Sequence, residues 1–302
     1  MYGSIAKIKY LGNPRDVRYR YELSRDGVYV QHMLTVRPEV QRKERLLNFC
    51  AVLNNPDFNT PDHGSSVLSS MFLVKWLISH RLPVELLGRG MNLKHRPVAT
   101  SAATIGKHAW NVVRDAPNLA SFSWEWLNKR VLSARKLPGV QVYSRDAEYH
   151  LLYSTEQEPN PDSRIVLTAD KDEFGYNRAR ADWRYTQHDI DSIVRNHAVI
   201  AHDIAESPQK LLSHSIDFAA LPDQIRASSN VGSHHIGTAR ISANPRTGVV
   251  DRESRVHGLA NLYVASSAAF PTSSCMSVTF LIVALALRVG DSIIKQLPQF
   301  SK

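Results

Sequence analysis

Hydrophobic and polar positions alternate in patches over the first 36 residues of the chain. Val28-Tyr29-Val30 belongs to one such patch, and the preceding pair Asp26-Gly27 is a typical turn signal. Alternation with a period of two places successive side chains on opposite faces of a strand. The first part of the chain is therefore predicted to form β-strands with a hairpin.

Helical spacing replaces this alternation after Pro38. Apolar side chains recur roughly at helical intervals between Val40 and Leu53, and Asn54-Asn55-Pro56 supplies a stop signal. The predicted helices cover residues 39–54, residues 65–80 and, in pieces, residues 101–135.

Short strands and one long helix are predicted in the middle of the chain. The strand patterns lie at residues 149–153, 164–168 and 179–183, and turn-rich runs separate them. Strands joined in this way are expected to form an antiparallel sheet. Residues 187–206 carry an apolar stripe at helical spacing, which predicts a helix that lies on the sheet.

The last part of the chain is predicted to contain strands and a final helix. The strands are expected at residues 234–241, 248–251 and 262–265. The helix is expected to run from about Ser277 to Gln296 and to be buried. Its apolar run is interrupted by Arg288 and Asp291, so it is shorter than the ~20 apolar residues of a membrane span, and no span is predicted.

Charge and cysteine content narrow the class of protein. The 302 residues include 37 Lys and Arg against 28 Asp and Glu, a formal net charge of +9. These basic residues are scattered, whereas nucleic-acid-binding proteins concentrate them on one element, so nucleic acid is not predicted as a partner. Cys50 and Cys275 are too few and too distant in sequence for a disulfide framework or a cysteine-rich zinc site. The first residues also lack the apolar centre of a secretory signal, and a reducing, cytoplasmic setting is expected.

Familiar site motifs do not occur in the sequence. Gly88 and Gly90 begin a possible dinucleotide fingerprint, but Leu93 occupies the position of its third glycine. A P-loop, the HExxH motif of metalloproteases and the GxSxG nucleophile elbow are also missing. His234 and His235 are adjacent on a predicted strand and would point to opposite faces, so no metal site is predicted there.

A series of motifs near the end of the chain is the most specific signal. In order, they are Ser233-His234-His235-Ile236-Gly237-Thr238-Ala239-Arg240-Ile241, Gly248-Val249-Val250-Asp251, Arg255-Val256-His257-Gly258, Phe270-Pro271-Thr272 and Ala284-Leu285-Ala286-Leu287-Arg288. Their order and spacing resemble the C-terminal half of the glucose-methanol-choline (GMC) family of flavin oxidoreductases. The resemblance extends over about residues 148–297.

The resemblance implies a catalytic histidine. In such enzymes, a histidine four residues before the Thr of the HxxGT stretch lies over the flavin. It assists removal of the alcohol proton while the carbon gives hydride to the flavin. Counting back from Thr238 identifies this residue as His234. Hydride leaves readily only from an alkoxide-like carbon, so a base with a pKa near neutrality suits the step.

The resemblance also implies a second polar residue at the substrate. The family places Asn or His seven positions before the first Ala of the Ala-Leu-Ala segment, and here that position is Ser277. A serine hydroxyl can hydrogen-bond a substrate oxygen, but it cannot act as the base. Ser277 is therefore expected to orient the substrate.

Four further residues are implied as flavin contacts. Ser266 and Ser267 lie in a late turn whose small residues let backbone N–H groups approach the flavin. Val278 and Thr279 begin the last helix, whose positive end would stabilise the charge that builds on reduced flavin. FAD is accordingly the expected cofactor.

The implied fold is α+β. Residues 1–230 are expected to form a substrate-binding domain with an antiparallel sheet and helices. Residues 231–302 are expected to carry the histidine motif and a strand and helix that complete a FAD-binding domain. The family's N-terminal nucleotide-binding half is not recognisable here. The chain is therefore expected to be a fragment, or one half of a split enzyme that needs a FAD-binding segment or subunit.

The sequence supports two alternative functions. The first is FAD-dependent oxidation of a CH–OH group in an alcohol or sugar-like substrate. The alternative is a non-catalytic binding or scaffold protein that keeps the substrate-domain fold. The replacement of the family's Asn or His by Ser277 favours this alternative.

Overall fold

The fold is α+β in the computed structural model, which describes residues 1–12, 21–81, 100–139, 142, 147–210, 212–228, 235–272, 274–275 and 277–296. The strands are β1 (Tyr2–Tyr10), β2 (Tyr21–Leu23), β3 (Tyr29–Gln31), β4 (Leu34–Thr35), β5 (Phe49–Asn54), β6 (Glu148–Thr155), β7 (Arg164–Lys171), β8 (Asn177–Asp182) and β9 (Leu212–Ser215). The helices are α1 (Pro38–Glu44), α2 (Ser66–Arg81), α3 (Ala102–Arg114), α4 (Ala116–Trp126), α5 (Gln187–Glu206), α6 (Leu221–Ser228) and α7 (Thr279–Gln296). No described helix combines the length and the apolar character that crossing a bilayer requires.

The central sheet has five antiparallel strands in the order β4-β5-β6-β1-β9. One face of the sheet is closed and apolar. Along β6, Tyr149, Leu151 and Tyr153 are buried on this face, whereas the residues between them are half-buried on the other. We call the second face the open face. The sheet therefore has one side filled by a core and one side available to other parts of the molecule.

Helix α5 covers the closed face, as its apolar stripe predicts. It begins with a capping box, in which the Thr186 hydroxyl accepts a hydrogen bond from the Asp189 N–H at 3.2 Å. The Asp189 carboxylate in turn accepts one from the Thr186 N–H at 2.7 Å. Such a cap contributes about 1 kcal/mol to helix stability. Ile190 and Ile193 then pack against the buried residues of β1, β5 and β6.

A histidine lies inside this core. The His197 ring meets the rings of Phe49 and Tyr153 edge-on, with centroids 5.0 and 5.3 Å apart. Its Nδ1 is 2.9 Å from the Ile193 carbonyl oxygen, and its buried Nε2 has no hydrogen-bond partner among the described residues. Burial lowers the pKa of His197 to about 4, although the Ile193 carbonyl favours the protonated form. The ring is therefore neutral in the folded chain at neutral pH.

This buried ring predicts loss of stability in acid. The folded-state pKa lies below the ordinary value of 6.5, so the unfolded chain binds the proton first as the pH falls. Stability should be fully present above about pH 6.5 and should decrease by about 3 kcal/mol as the pH falls to about 4. Urea unfolding across this pH range measures the slope. The variant His197→Gln should lose that part of the slope, and an unchanged slope in the variant would contradict the assignment.

The predicted helix over residues 39–54 is wrong in its second half. Helix α1 ends at Glu44, because Arg45 adopts a left-handed conformation with φ 51°. Residues 49–54 form strand β5, which pairs with β4 and β6. Phe49, Ala51 and Leu53 are buried at a period of two, and this packing outweighs the weaker helical spacing. Cys50 lies between these buried residues in the strand and therefore belongs to the open face.

Three further expectations need correction. Strands β7 and β8 form a separate hairpin and do not join the sheet that contains β6. The described residues between 235 and 265 contain only isolated bridges, such as Ile241 with Val250, in place of three regular strands. Helix α7 is not buried: Leu285 and Val289 are, but much of its apolar surface is exposed. The predicted domain boundary between residues 230 and 231 lies outside the described residues.

Candidate active site

The histidine motif runs beside the turn that contains the predicted flavin-contacting serines. The backbone N–H groups of Gly237, Ala239 and Ile241 donate to the carbonyl oxygens of residues 267–269, at 3.3, 2.9 and 2.8 Å respectively. Gly237 has φ 81°, a conformation that a residue with a side chain rarely adopts. Residues 235–241 and 267–269 are therefore joined along their backbones, and we call them the paired segments.

His235, the first residue of the motif that the structure describes, is also hydrogen-bonded to this turn. The Ser267 hydroxyl donates a hydrogen bond of 2.7 Å to the carbonyl oxygen of His235. The contact uses the backbone of His235, and this residue is exposed. The predicted base, His234, lies outside the described residues. Its predicted role therefore depends on the sequence and on the position of the residues that follow it.

A tight turn holds the next part of the motif region in place. The Asp251 carboxylate accepts hydrogen bonds from the N–H groups of Glu253 and Arg255, at 2.9 and 3.0 Å. Burial acts to raise the pKa of Asp251, but these hydrogen bonds and the Arg255 guanidinium more than offset it and lower the pKa. The turn places Val250 in a small apolar cluster of its own.

This cluster connects the paired segments to α7. Val250 and Ala269 pack with Leu285 and Val289 in a buried group, and Ile241 and Phe270 lie against it. Apolar packing of this kind fixes the position of the helix relative to both segments. Residues that lie far apart in the sequence are therefore held together as one unit.

Ser277 lies just before α7. It is exposed, and its hydroxyl is 3.1 Å from that of Thr279, which is also exposed. The side chain of Val278 is buried, which leaves only its backbone for a flavin contact. Ser266 is half-buried, and its hydroxyl accepts a hydrogen bond of 3.2 Å from the Ala268 N–H. The catalytic and flavin-binding roles of all these residues stay predictions.

The segment that contains Ser277 also contacts the open face of the sheet. The Cys50 thiol donates a hydrogen bond of 3.1 Å to the carbonyl oxygen of Cys275. On the open face, Cys50 is paired across the strands with Ser154. Glu156, the residue after β6, is close enough to Cys275 to act on it electrostatically. Burial raises the pKa of the Glu156 carboxyl even though Asn48 hydrogen-bonds to it. The segment before α7 therefore meets the open face at Cys275.

The described residues fit one end of a bound FAD. The first N–H groups of a helix lack intrahelical partners and favour negative charge, and at α7 they are flanked by the exposed hydroxyls of Ser277 and Thr279. A Cβ at Gly237 would lie 3.5 Å from the Phe270 carbonyl oxygen, so this glycine serves the close packing of the paired segments. The start of α7 is the feature that would suit the charge on a reduced flavin ring. Among the described residues, no group of three or more His, Cys, Asp or Glu side chains is arranged to hold a metal ion.

Comparison with known families agrees with this arrangement. The family model described as GMC oxidoreductase matches residues 159–286. Residues 159–286 therefore have the sequence of a GMC oxidoreductase C-terminal region. The resemblance inferred from the motifs is confirmed, and FAD is the cofactor that GMC oxidoreductases bind.

Individual relatives overlap with the chain only in part. The fructose dehydrogenase large subunit of Gluconobacter japonicus is 28% identical over 166 residues, which make up 55% of this chain and 27% of that subunit. Pyridoxine 4-oxidase from Mesorbium loti is 22% identical, with a TM-score of 0.39 over 51% of this chain and 31% of the oxidase. A fungal aryl-alcohol oxidase is 15% identical, with a TM-score of 0.37 over 82% of this chain and 38% of the oxidase. The chain thus spans well under half the length of these three relatives.

Sequence reasoning missed that β5 belongs to the sheet and brings Cys50 next to the segment before α7. Because residues 49–54 were expected to be helical, Cys50 and Asn54 were not placed beside the polar residues of β6. The alternation of Phe49, Ala51 and Leu53 was the available signal. No local pattern indicates that Cys275 would meet Cys50.

Proposed function

We propose that this chain forms the substrate-binding side of an FAD-dependent oxidoreductase. It would oxidise the CH–OH group of an alcohol or sugar-like molecule by hydride transfer to the flavin. One observation carries the proposal: hydrogen bonds join the paired segments, and one apolar cluster packs them against Leu285 and Val289 of α7. The residue after His234 and the serine turn belong to this unit, and Ser277 lies just before its helix.

The proposed chemistry divides between the chain and its cofactor. FAD, when bound, supplies the acceptor for the hydride. His234 takes the hydroxyl proton of the substrate, so that the carbon is alkoxide-like when its hydride leaves. The Ser277 hydroxyl orients the same oxygen by a hydrogen bond, since a hydroxyl can both donate and accept. The net result is a carbonyl product.

The open face of the sheet supports a hydroxyl-bearing substrate. His150 is half-buried there, and its Cα partners on the neighbouring strands are Lys7 and Asn54. Ser154 lies four residues further along β6, on the same face. These side chains supply donors and acceptors suited to alcohol oxygens. We therefore propose that this face contributes to the substrate site.

The exposed surface of α7 supports the proposal of a FAD-binding partner. Phe280, Val283 and Leu287 follow one another at helical spacing, and Phe280 and Leu287 are 81% and 67% exposed. Apolar side chains so arranged mark a contact surface. We propose that a FAD-binding segment, either in the same polypeptide or in a separate subunit, covers this stripe.

The cytoplasmic location expected from the sequence stays a prediction.

The non-catalytic alternative has one specific observation in its favour. The hydroxyl of Ser277 is already within hydrogen-bond distance of Thr279, and Ser277 replaces the Asn or His of the family. A scaffold protein would keep the fold and the apolar cluster without needing this hydroxyl. The two functions differ in whether an alcohol can reduce the bound flavin.

The assembly that contains this chain provides the test. Isolated through a tag on the chain, it should contain flavin, and a panel of sugars, polyols and aromatic alcohols should include one that reduces a dye through it. Leu287→Asp should remove the flavin, because a charge in the α7 stripe would disrupt the contact. Val30→Asp is the control, since Val30 is exposed on the β2–β3 hairpin. If the flavin is present but every alcohol in the panel fails to reduce it, the scaffold alternative replaces the proposal.

A further inference from the structure

The two cysteines of the chain are neighbours in the fold although 225 positions separate them. Both are thiols. The Cys50 sulfur lies 3.1 Å from the carbonyl oxygen of Cys275, and the two thiol side chains are close enough for each to shift the pKa of the other. A carbonyl oxygen is about 2.4 Å from its own Cα, so the Cys50 sulfur is within about 5.5 Å of the Cys275 Cα. A small change at the Cys275 side chain would thus bring the sulfurs to bonding distance.

We propose that Cys50 and Cys275 form a reversible disulfide that fixes the segment before α7 to the open face of the sheet. Cys50 belongs to β5, where its backbone is paired with Thr35 of β4 on one side and Ser154 of β6 on the other, and it is a rigid attachment point. Cys275 lies outside any helix or strand and is partly exposed, so an oxidant can reach it. The pair therefore combines one accessible thiol with one buried thiol.

The environments of the two thiols suit a stepwise reaction. The hydrogen bond from Cys50 lowers the pKa of Cys275 to about 7, against the opposing effect of burial, and Ser274 contributes in the same direction. The same hydrogen bond, together with burial, raises the pKa of Cys50. Cys275 is therefore the thiolate that attacks, because nucleophilic attack requires the deprotonated sulfur.

The oxidant that we propose is a small disulfide such as oxidised glutathione. The Cys275 thiolate attacks one of its sulfurs, a mixed disulfide forms, and one glutathione thiolate leaves. Cys50 then loses its proton more easily, because the neighbouring thiolate has been consumed. Its sulfur attacks the Cys275 sulfur and displaces the second glutathione thiolate. In total, two thiols of the chain are oxidised and one glutathione disulfide is reduced to two thiols.

The bond would act on the proposed substrate site. Ser277 follows Cys275 by two positions, so a disulfide would restrict where its hydroxyl can lie. This consequence rests on the proposed function, whereas formation of the disulfide does not. The disulfide can therefore be tested in the chain without flavin.

The test follows both thiols in the full chain incubated with oxidised glutathione. The wild-type chain should lose both thiols, gain no glutathione and remain monomeric on a non-reducing gel. Peptide mapping should find the peptides of Cys50 and Cys275 joined, and dithiothreitol should restore both thiols. Cys50→Ser should stop at one glutathione bound to Cys275, because the second thiol is missing. Cys275→Ser should keep Cys50 as a thiol.

Other outcomes would overturn the proposal. Two separate glutathione adducts on the wild-type chain would show that the sulfurs cannot meet. Disulfide-linked dimers, or a wild-type chain that keeps both thiols, would do the same. The wild-type peptide map decides the matter even if Cys50→Ser does not fold. The disulfide test needs no flavin and no alcohol oxidation. The proposed disulfide and the proposed oxidoreductase function can therefore fail independently.

Discussion

Replacement of His234 by alanine is expected to lower alcohol oxidation by the flavin-containing assembly about 10²–10⁴-fold, the usual contribution of a positioned general base. The variant would leave the substrate proton without an acceptor. The paired segments would remain, because they are held by backbone hydrogen bonds of Gly237 and the residues after it. Initial rates of dye reduction, measured at saturating alcohol, give the size of the effect.

The neighbouring histidine is the matched control for this experiment. His235 is exposed, and the described contact at this residue uses its carbonyl oxygen. His235→Ala should therefore retain activity within a few-fold of the wild-type chain. The pH profile adds a second readout, since the limb that reports the base should vanish only in His234→Ala. An equal loss in both variants, or full activity in His234→Ala, would mean that another group takes the proton.

Truncation of Phe49 is expected to have the largest effect on stability. The side chain is fully buried, stacked on Tyr153 at 5.8 Å between ring centroids, and in edge contact with His197. Phe49→Ala should lower the free energy of unfolding by about 3–5 kcal/mol, because it removes apolar contacts and leaves a cavity under α5. Urea unfolding at neutral pH measures this change.

A second phenylalanine provides the control for the same chemical change. Phe174 lies in the turn between β7 and β8 and is 76% exposed. Phe174→Ala should change the free energy of unfolding by no more than about 0.5 kcal/mol, as is usual for surface positions. Similar losses in the two variants would contradict the placement of Phe49 in the core.

Long helices with strong signals could be predicted from the sequence, and a short strand could not. Helix α5 was predicted with its observed bounds because its apolar stripe extends over five turns. Residues 49–54 are few and mostly apolar, and such a run suits a helix or a buried strand equally well. Pairing with β4 and β6 decided between them.

The candidate site was predictable only where its residues lie close together in sequence or follow a family pattern. The motif order identified His234 and Ser277, and the structure brings the segments beside them into one unit. The meeting of Cys50 with Cys275 depends on the packing of the whole chain, because no local preference connects positions so far apart. The exposure of α7 was missed for a related reason: its apolar residues are spread over two sides, and the described residues bury only one.

The lengths of the outermost strands have a consequence for solubility. Among the described residues, the sheet ends on one side with β4, which has two residues, and on the other with β9, which has four. Strands this short present few unpaired backbone groups on which a foreign strand could be templated. Self-association through strand addition, the first step towards fibrils, is therefore disfavoured at both rims of the sheet.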